Sequence, residues 1–138
     1  MPKKQRRKSV TLLEMIVVII LVGVLAALAL PNFGPFKEKT LEREAKSNLS
    51  LIRAAEKIYR MENAFYYPST TASPISTTGT INNDLKLAIP GANPYWQYKI
   101  ESTGPGNFSA KARRVSTPAN VWCITDAVDD PYSGGCSW

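Results

Sequence analysis

The sequence predicts an α+β protein in which a long N-terminal helix packs on a small antiparallel β head. Three observations predict it. An apolar run extends from Met15 to Leu30, residues 37 to 63 alternate apolar and charged positions at helical spacing, and the last third changes to strand-like segments broken by turns. The expected divisions are a basic leader over 1–9, an apolar helix over 10–33, an amphipathic helix over 34–64 and a β head over 65–138.

Lys3, Lys4, Arg6, Arg7 and Lys8 precede the apolar run, and no cation follows until Lys37. The positive-inside rule then places the N-terminus in the cytoplasm and exports everything after Pro31. A cleaved secretory signal carries an apolar region of about 7 to 15 residues and a small-residue cleavage site. Here the stretch from Val10 to Leu30 has 21 residues, enough at about 1.5 Å each to cross a bilayer core of about 30 Å as one helix. Glu14 does not belong in a plain anchor, because a carboxylate in hydrocarbon costs about 2.5 to 3.5 kcal/mol even on lenient insertion scales. It needs a partner or a purpose.

The basic leader, the small Ser9, the apolar Val10 and then Thr11-Leu12-Leu13-Glu14, with Gly23 and Pro31 further on, resemble the N-terminus of type IV pilins and the pseudopilins of type II secretion. Ser9 stands where that family normally has Gly, and Val10 where it usually has Phe. The resemblance implies that a prepilin peptidase cuts between Ser9 and Val10, that the freed Val10 amine is methylated, and that the subunit is drawn from the membrane into a fibre of its own copies. Glu14 would then pair with the Val10 amine of a neighbour, fixing register because a misaligned copy leaves a buried charge unpaired. Within one subunit the two positions are four apart, on the same side of a helix that begins at Val10. The alternative for Glu14 is contact with lipid headgroups at the membrane surface. Gly23 and Pro31 are expected helix breakers, costing about 1 and 3 kcal/mol. They serve either as a simple kink or as the ends of a stretch that loses helix on assembly, and Gly34-Pro35 adds a break that could hinge the head.

The amphipathic segment places Leu41, Ala45, Leu49, Ile52, Ala55, Ile58, Tyr59 and Met61 near helical spacing, with charges of alternating sign between them. Asn63 to Pro68 ends it in an aromatic cluster expected to seal helix against head. Ser69 to Thr80 is rich in hydroxyls and free of charge, so it reads as an exposed loop, solvated or carrying sugars. The expected strands are Tyr95–Ile100, Phe108–Val115 and Val121–Thr125, in a meander of three or more, separated by turns at Gly104–Asn107 and Thr117–Asn120. About 75 head residues are few for a self-sufficient core. Cys123 and Cys136, an even count on the exported side, favour a disulfide that pins the tail, as many members of the resembled family have. Asp126, Asp129 and Asp130 could offer oxygens to calcium, but they are also ordinary turn residues in no recognisable ligand order, so no metal is expected.

No His is present, which removes Ser-His and Cys-His dyads and the common zinc ligands, and no phosphate-binding glycine loop appears. The chain is expected to be no enzyme and to need no cofactor. Its net charge of +6 falls to +1 without the five leader cations, so nucleic acid is not an expected partner, although Lys111, Arg113 and Arg114 make a small basic strand. The resemblance implies as partners copies of the chain, the prepilin peptidase, the inner-membrane assembly machinery and, before assembly, the membrane. It implies a single pass of the inner membrane first, then an extracellular filament or a periplasmic pseudopilus. A reading of another class is a permanently anchored periplasmic binding or adaptor module, which would neither be cleaved nor polymerise.

Overall fold

A computed structural model describes residues 10–28, 34–69, 74–104 and 106–138. The chain divides into two units, Met1–Pro35 and Phe36–Trp138. In the first, α1 (Leu12–Leu28) is 17 residues long and buries none of them. Thr11 starts it as an N-cap: its carbonyl accepts from Met15 N–H at 3.2 Å and its hydroxyl oxygen from Glu14 N–H at 3.3 Å. With Glu14 at the third helical position, Thr11-x-x-Glu14 has the composition of a capping box. The helix passes Gly23 unbroken, so the break expected there is not seen; glycine keeps its N–H and loses only entropy, unlike proline. Pro31 lies outside the described residues, as do Ala29 and Leu30. Among the described residues no helix is long and apolar enough to cross a membrane. The last two residues of the expected 21-residue span thus lie outside the described residues; the 17 residues of α1 alone, at about 1.5 Å each, reach about 25 Å.

In the second unit, α2 (Gly34–Asn63) buries Leu41, Ala45, Leu49, Ile52, Ala55 and Glu56, a stripe of the 3.6-residue period. Ile58 and Met61, expected on the same apolar face, are 54% and 79% exposed; they fall out of phase with that stripe. The helix ends at Ala64, in the left-handed region at φ 68°, whose N–H reaches Arg60 O at 2.8 Å. The aromatic corner follows. Tyr66 is buried against Phe108 with centroids 4.9 Å apart and accepts from Arg60 Nη1 at 3.0 Å, while Tyr59 meets both Phe65 and Tyr67 edge-on.

The Ser69–Thr80 loop expectation needs correction at its far end. Ile75 pairs with Ile100 as an isolated bridge, and Thr78 opens a third helix, α3 (Thr78–Leu85). One turn of spacing between Ile81 and Leu85, both buried, anchors it in the core. Lys86, at φ 55°, closes it, and the Asn82 side chain clamps the next turn by donating to Ile89 O and accepting from Ile89 N–H at 2.6 and 3.0 Å.

The sheet is an antiparallel meander of four strands: β1 (Trp96–Gly104), β2 (Asn107–Arg114), β3 (Val121–Thr125) and β4 (Val128–Tyr132). Gly104, at φ 151°, lies beside the β1–β2 turn, where a residue with a side chain would be strained. Trp96, Tyr98 and Ile100 of β1 pair across with Arg114, Ala112 and Ala110. Small residues opposite large ones leave room for α2, and Asn48 on that helix donates to the Tyr98 hydroxyl at 2.7 Å. The core of this unit joins Leu49 and Ile52 to Tyr98, Ile100, Phe108 and Ile124, with Ile81 and Leu85 of α3.

Candidate functional site

Two regions of this chain carry chemistry beyond packing. The first is α1. Every large aliphatic side chain from Leu12 to Leu28 is 46% exposed or more, and Glu14 is the acid of its first turn. Such a surface is far above the few hundred square ångströms of contiguous apolar area that a soluble monomer leaves bare, so it requires a cover. Val10, 53% exposed, stands two residues ahead of the first helical residue. Val10 thus lies ahead of α1, and the Thr11 hydroxyl takes the Glu14 N–H. Ser9 lies outside the described residues.

The second is the outer face of the sheet, away from α2. There Glu101 receives Lys99 at 2.5 Å and Lys111 at 2.6 Å. Burial alone would raise its carboxyl, but the two cations together outweigh it and hold the group below the usual range. Cys123, on β3, is disulfide-bonded to Cys136, with Cα atoms 6.1 Å apart. The tail beyond it lays Trp138 over this face, with the Arg113 guanidinium 4.3 Å and the Lys99 ammonium 4.9 Å from the ring centroid. Closing a loop of 13 residues restricts the unfolded chain by about 3 kcal/mol. The Cys123→Ser/Cys136→Ser double variant is therefore expected to unfold about 2 to 4 kcal/mol more easily in non-reducing urea titrations. A midpoint equal to that of the unreduced parent would show that the bridge constrains nothing.

Each residue of the basic strand has a local partner. Lys111 is paired with Glu101, Arg113 donates to Gln97 Oε1 at 2.7 Å, and Arg114 reaches Glu38 on α2 at 3.1 Å. Asp129 receives Arg53 at 2.6 Å, while Arg53 also donates to the carbonyls of Thr125 and Asp126, both at 3.1 Å. Arg53 thus brings a positive charge to Asp129 in that loop.

Glu56 was missed by sequence reasoning. It is 0% exposed, its Oε2 accepts from Tyr67 N–H at 2.8 Å, and its Oε1 has no partner among the described residues. Burial pushes this carboxyl up to about 8, partly offset by the Tyr67 hydrogen bond, so it is protonated at neutral pH. The signal was available in the phase: Glu56 follows Ile52 by four residues, on the buried stripe.

Residues 4–30 match the prokaryotic N-terminal methylation motif. The chain is 38% identical over 119 residues to the type II secretion system core protein G of Aeromonas hydrophila, covering 77% of this chain and 79% of that relative. The chain belongs to the type IV pilin and pseudopilin family. This pilin-family chain is also 38% identical over 136 residues to the type IV major pilin protein PilA of Myxococcus xanthus, covering 91% of the chain but 56% of that pilin. With the core protein G of Klebsiella pneumoniae it shares 41% identity over 66 residues, 48% of the chain and 46% of the relative. It thus spans about half the length of these last two relatives. No solved structure matches the pilin-family chain.

Proposed function

We propose that this chain is a structural subunit that polymerises through its apolar N-terminal helix into a helical filament of the type IV pilus kind. The carrying observation is α1 itself: 17 residues with none buried and an acid in the first turn. The cover it requires is lipid before assembly and the α1 helices of other copies afterwards. Packing the same surfaces by a screw operation that does not close yields a fibre. In this reading the prepilin peptidase cuts between Ser9 and Val10, the Val10 amine is methylated, and Glu14 neutralises the Val10 amine of the adjacent subunit. Before assembly the chain crosses the inner membrane once with its N-terminus in the cytoplasm, where the assembly machinery takes it up. The expected divisions at 9/10, 33/34 and 64/65 correspond to what is removed, what becomes filament core, and what is displayed.

A second reading, as the major pseudopilin of a type II secretion system, is supported by the 38% identity over 119 residues to the core protein G of Aeromonas hydrophila. In that case the fibre stays in the periplasm.

Intact-mass measurement of the native protein under non-reducing conditions, from membranes and from sheared surface material, tests the proposal. The expected species begins at Val10, is one methyl heavier, and is two hydrogens light for the Cys123–Cys136 bridge. Abundance in the sheared fraction supports a pilus, and confinement of the processed form to the cell envelope supports a pseudopilus. Full-length protein found only in membranes would mean a permanently anchored module instead.

A further inference from the structure

Among the described residues of the second unit, four large apolar side chains are half exposed or more: Phe36 at 68%, Leu51 at 50%, Ile58 at 54% and Met61 at 79%. Three of them gather in one place. Leu51 and Ile58 line an open groove of about 320 Å³ between α2 and the end of α3, with Leu87 in its wall, and Met61 follows Ile58 by one turn of α2. Two carboxylates, Glu62 and Asp84, edge this groove against one ammonium, Lys86. Asp84 accepts from the Tyr67 hydroxyl at 2.5 Å, whereas Glu62 has no partner among the described residues. The groove is therefore an apolar socket with an unspent negative charge at one end.

The fourth residue has the complementary character. Phe36, Lys39 and Arg43 follow one another at spacings of three and four, so they share one side of α2. All three are exposed, and neither cation has a partner among the described residues. A chain cannot fill its own groove with this phenylalanine, because both lie on one helix, where Phe36 and Leu51 are about 22 Å apart along the axis. A phenylalanine seated there comes from another copy. Two such helices laid parallel, with Arg43 of one level with Glu62 of the other, are offset by about 28 Å. That offset sets Phe36 level with Ala55, between Leu51 and Ile58, and Lys39 level with Ile58, on the groove that Asp84 edges. Laid antiparallel with Phe36 at the same level, Arg43 falls level with Asn48, away from both carboxylates. The screw operation of a fibre keeps every copy pointing the same way along its axis, so it presents the parallel arrangement, the one in which the charges match.

We propose that Phe36 of one copy seats in the groove between α2 and α3 of the next, with Arg43 of the first paired to Glu62 of the second. The inference rests on the filament reading above and names the surfaces outside α1 through which copies meet. Plug and socket are different surfaces, so each docking leaves one of each free and the contact repeats without closing.

The full-length chain with Arg43→Cys and Glu62→Cys, made in cells that assemble it, provides the test. Brief oxidation of sheared and membrane fractions, read on non-reducing gels by immunoblot, is expected to give a ladder of dimers, trimers and longer covalent oligomers. Arg43→Cys combined with Lys57→Cys, an exposed position on α2 that does not line the groove, should give at least tenfold less. Adding Phe36→Ser to the first pair should cut the ladder at least fivefold, and an undiminished ladder would overturn the seat assigned to Phe36. A ladder of equal yield from the Lys57 pair, or polymer without a ladder from the Glu62 pair, would overturn the contact and leave the groove to a partner other than a copy. If the cysteines themselves lower polymer yield, the charge swap Arg43→Glu with Glu62→Arg should polymerise at least fivefold better than Arg43→Glu alone, and equal yields would overturn the pairing. An unsubstituted chain that forms no polymer would overturn the filament reading, and this contact with it.

Discussion

Glu14→Val is expected to leave a full membrane pool of the protein and an empty sheared fraction. The physical asymmetry is large. In a lipid-embedded monomer the substitution removes a carboxylate from an apolar helix and makes a better anchor. In the filament proposed above it would leave the Val10 amine of each neighbour buried without its countercharge, and breaking one side of a buried pair costs about 3 to 5 kcal/mol. That penalty recurs at every subunit added, so a fibre of many copies is lost although each copy folds. Head folding should be unaffected, because Glu14 lies in the unit ending at Pro35 and the core of the second unit is drawn from Ala45 to Ile124. Quantitative immunoblots of membrane and sheared fractions decide the matter. Filaments at parental abundance from Glu14→Val would sink the register role assigned to this residue.

The second large effect is alkaline weakness set by Glu56. Its carboxyl titrates near 8 in the folded chain against 4.5 for an ordinary carboxyl. Between those values the unfolded chain releases the proton and the folded chain retains it, so stability is complete below about pH 4.5 and falls as pH rises toward 8. Each unit of such a gap corresponds to about 1.4 kcal/mol, which makes the loss several kcal/mol across the window. Glu56→Gln keeps a neutral acceptor for Tyr67 N–H and cannot ionise. It should flatten the profile and raise the unfolding midpoint at pH 8 while changing little at pH 5. Urea titrations of both proteins at pH 5, 6.5 and 8 provide the comparison, and parallel profiles would assign the slope to other groups.

Much of this architecture is written in periodicity. The stripe Leu41, Ala45, Leu49, Ile52 and the alternation of Tyr98, Ile100, Ala110 and Ala112 are repeated signals, and repetition lets a pattern outweigh any single residue. What escaped reading was chemically at odds with its phase or too short to repeat. Glu56 occupies a core position with a polar side chain. α3 shows the core only Ile81 and Leu85 among hydroxyls, amides and glycine. β4 contains Asp129, Asp130 and Pro131, residues depleted in strands, yet it pairs with β3 because the Asp126–Ala127 turn folds it back and Arg53 holds Asp129. The N-terminal motif was legible for a different reason: a charge in an apolar helix is conspicuous against its surroundings. The seating of Trp138 over Lys99 and Arg113 was not, since only the folded chain brings the tail to β1 and β2.

The strand order has a consequence for how the head is built. Each strand pairs with the next in sequence, so the whole sheet condenses from one contiguous stretch, Trp96 to Tyr132, through hairpins with short closures. A chain delivered across a membrane from its N-terminal side would present α2 first and then these strands in pairing order, each finding its neighbour already in place. Cys136 follows the last strand, so its bond to Cys123 works as a latch on a finished sheet rather than a guide to an unfinished one.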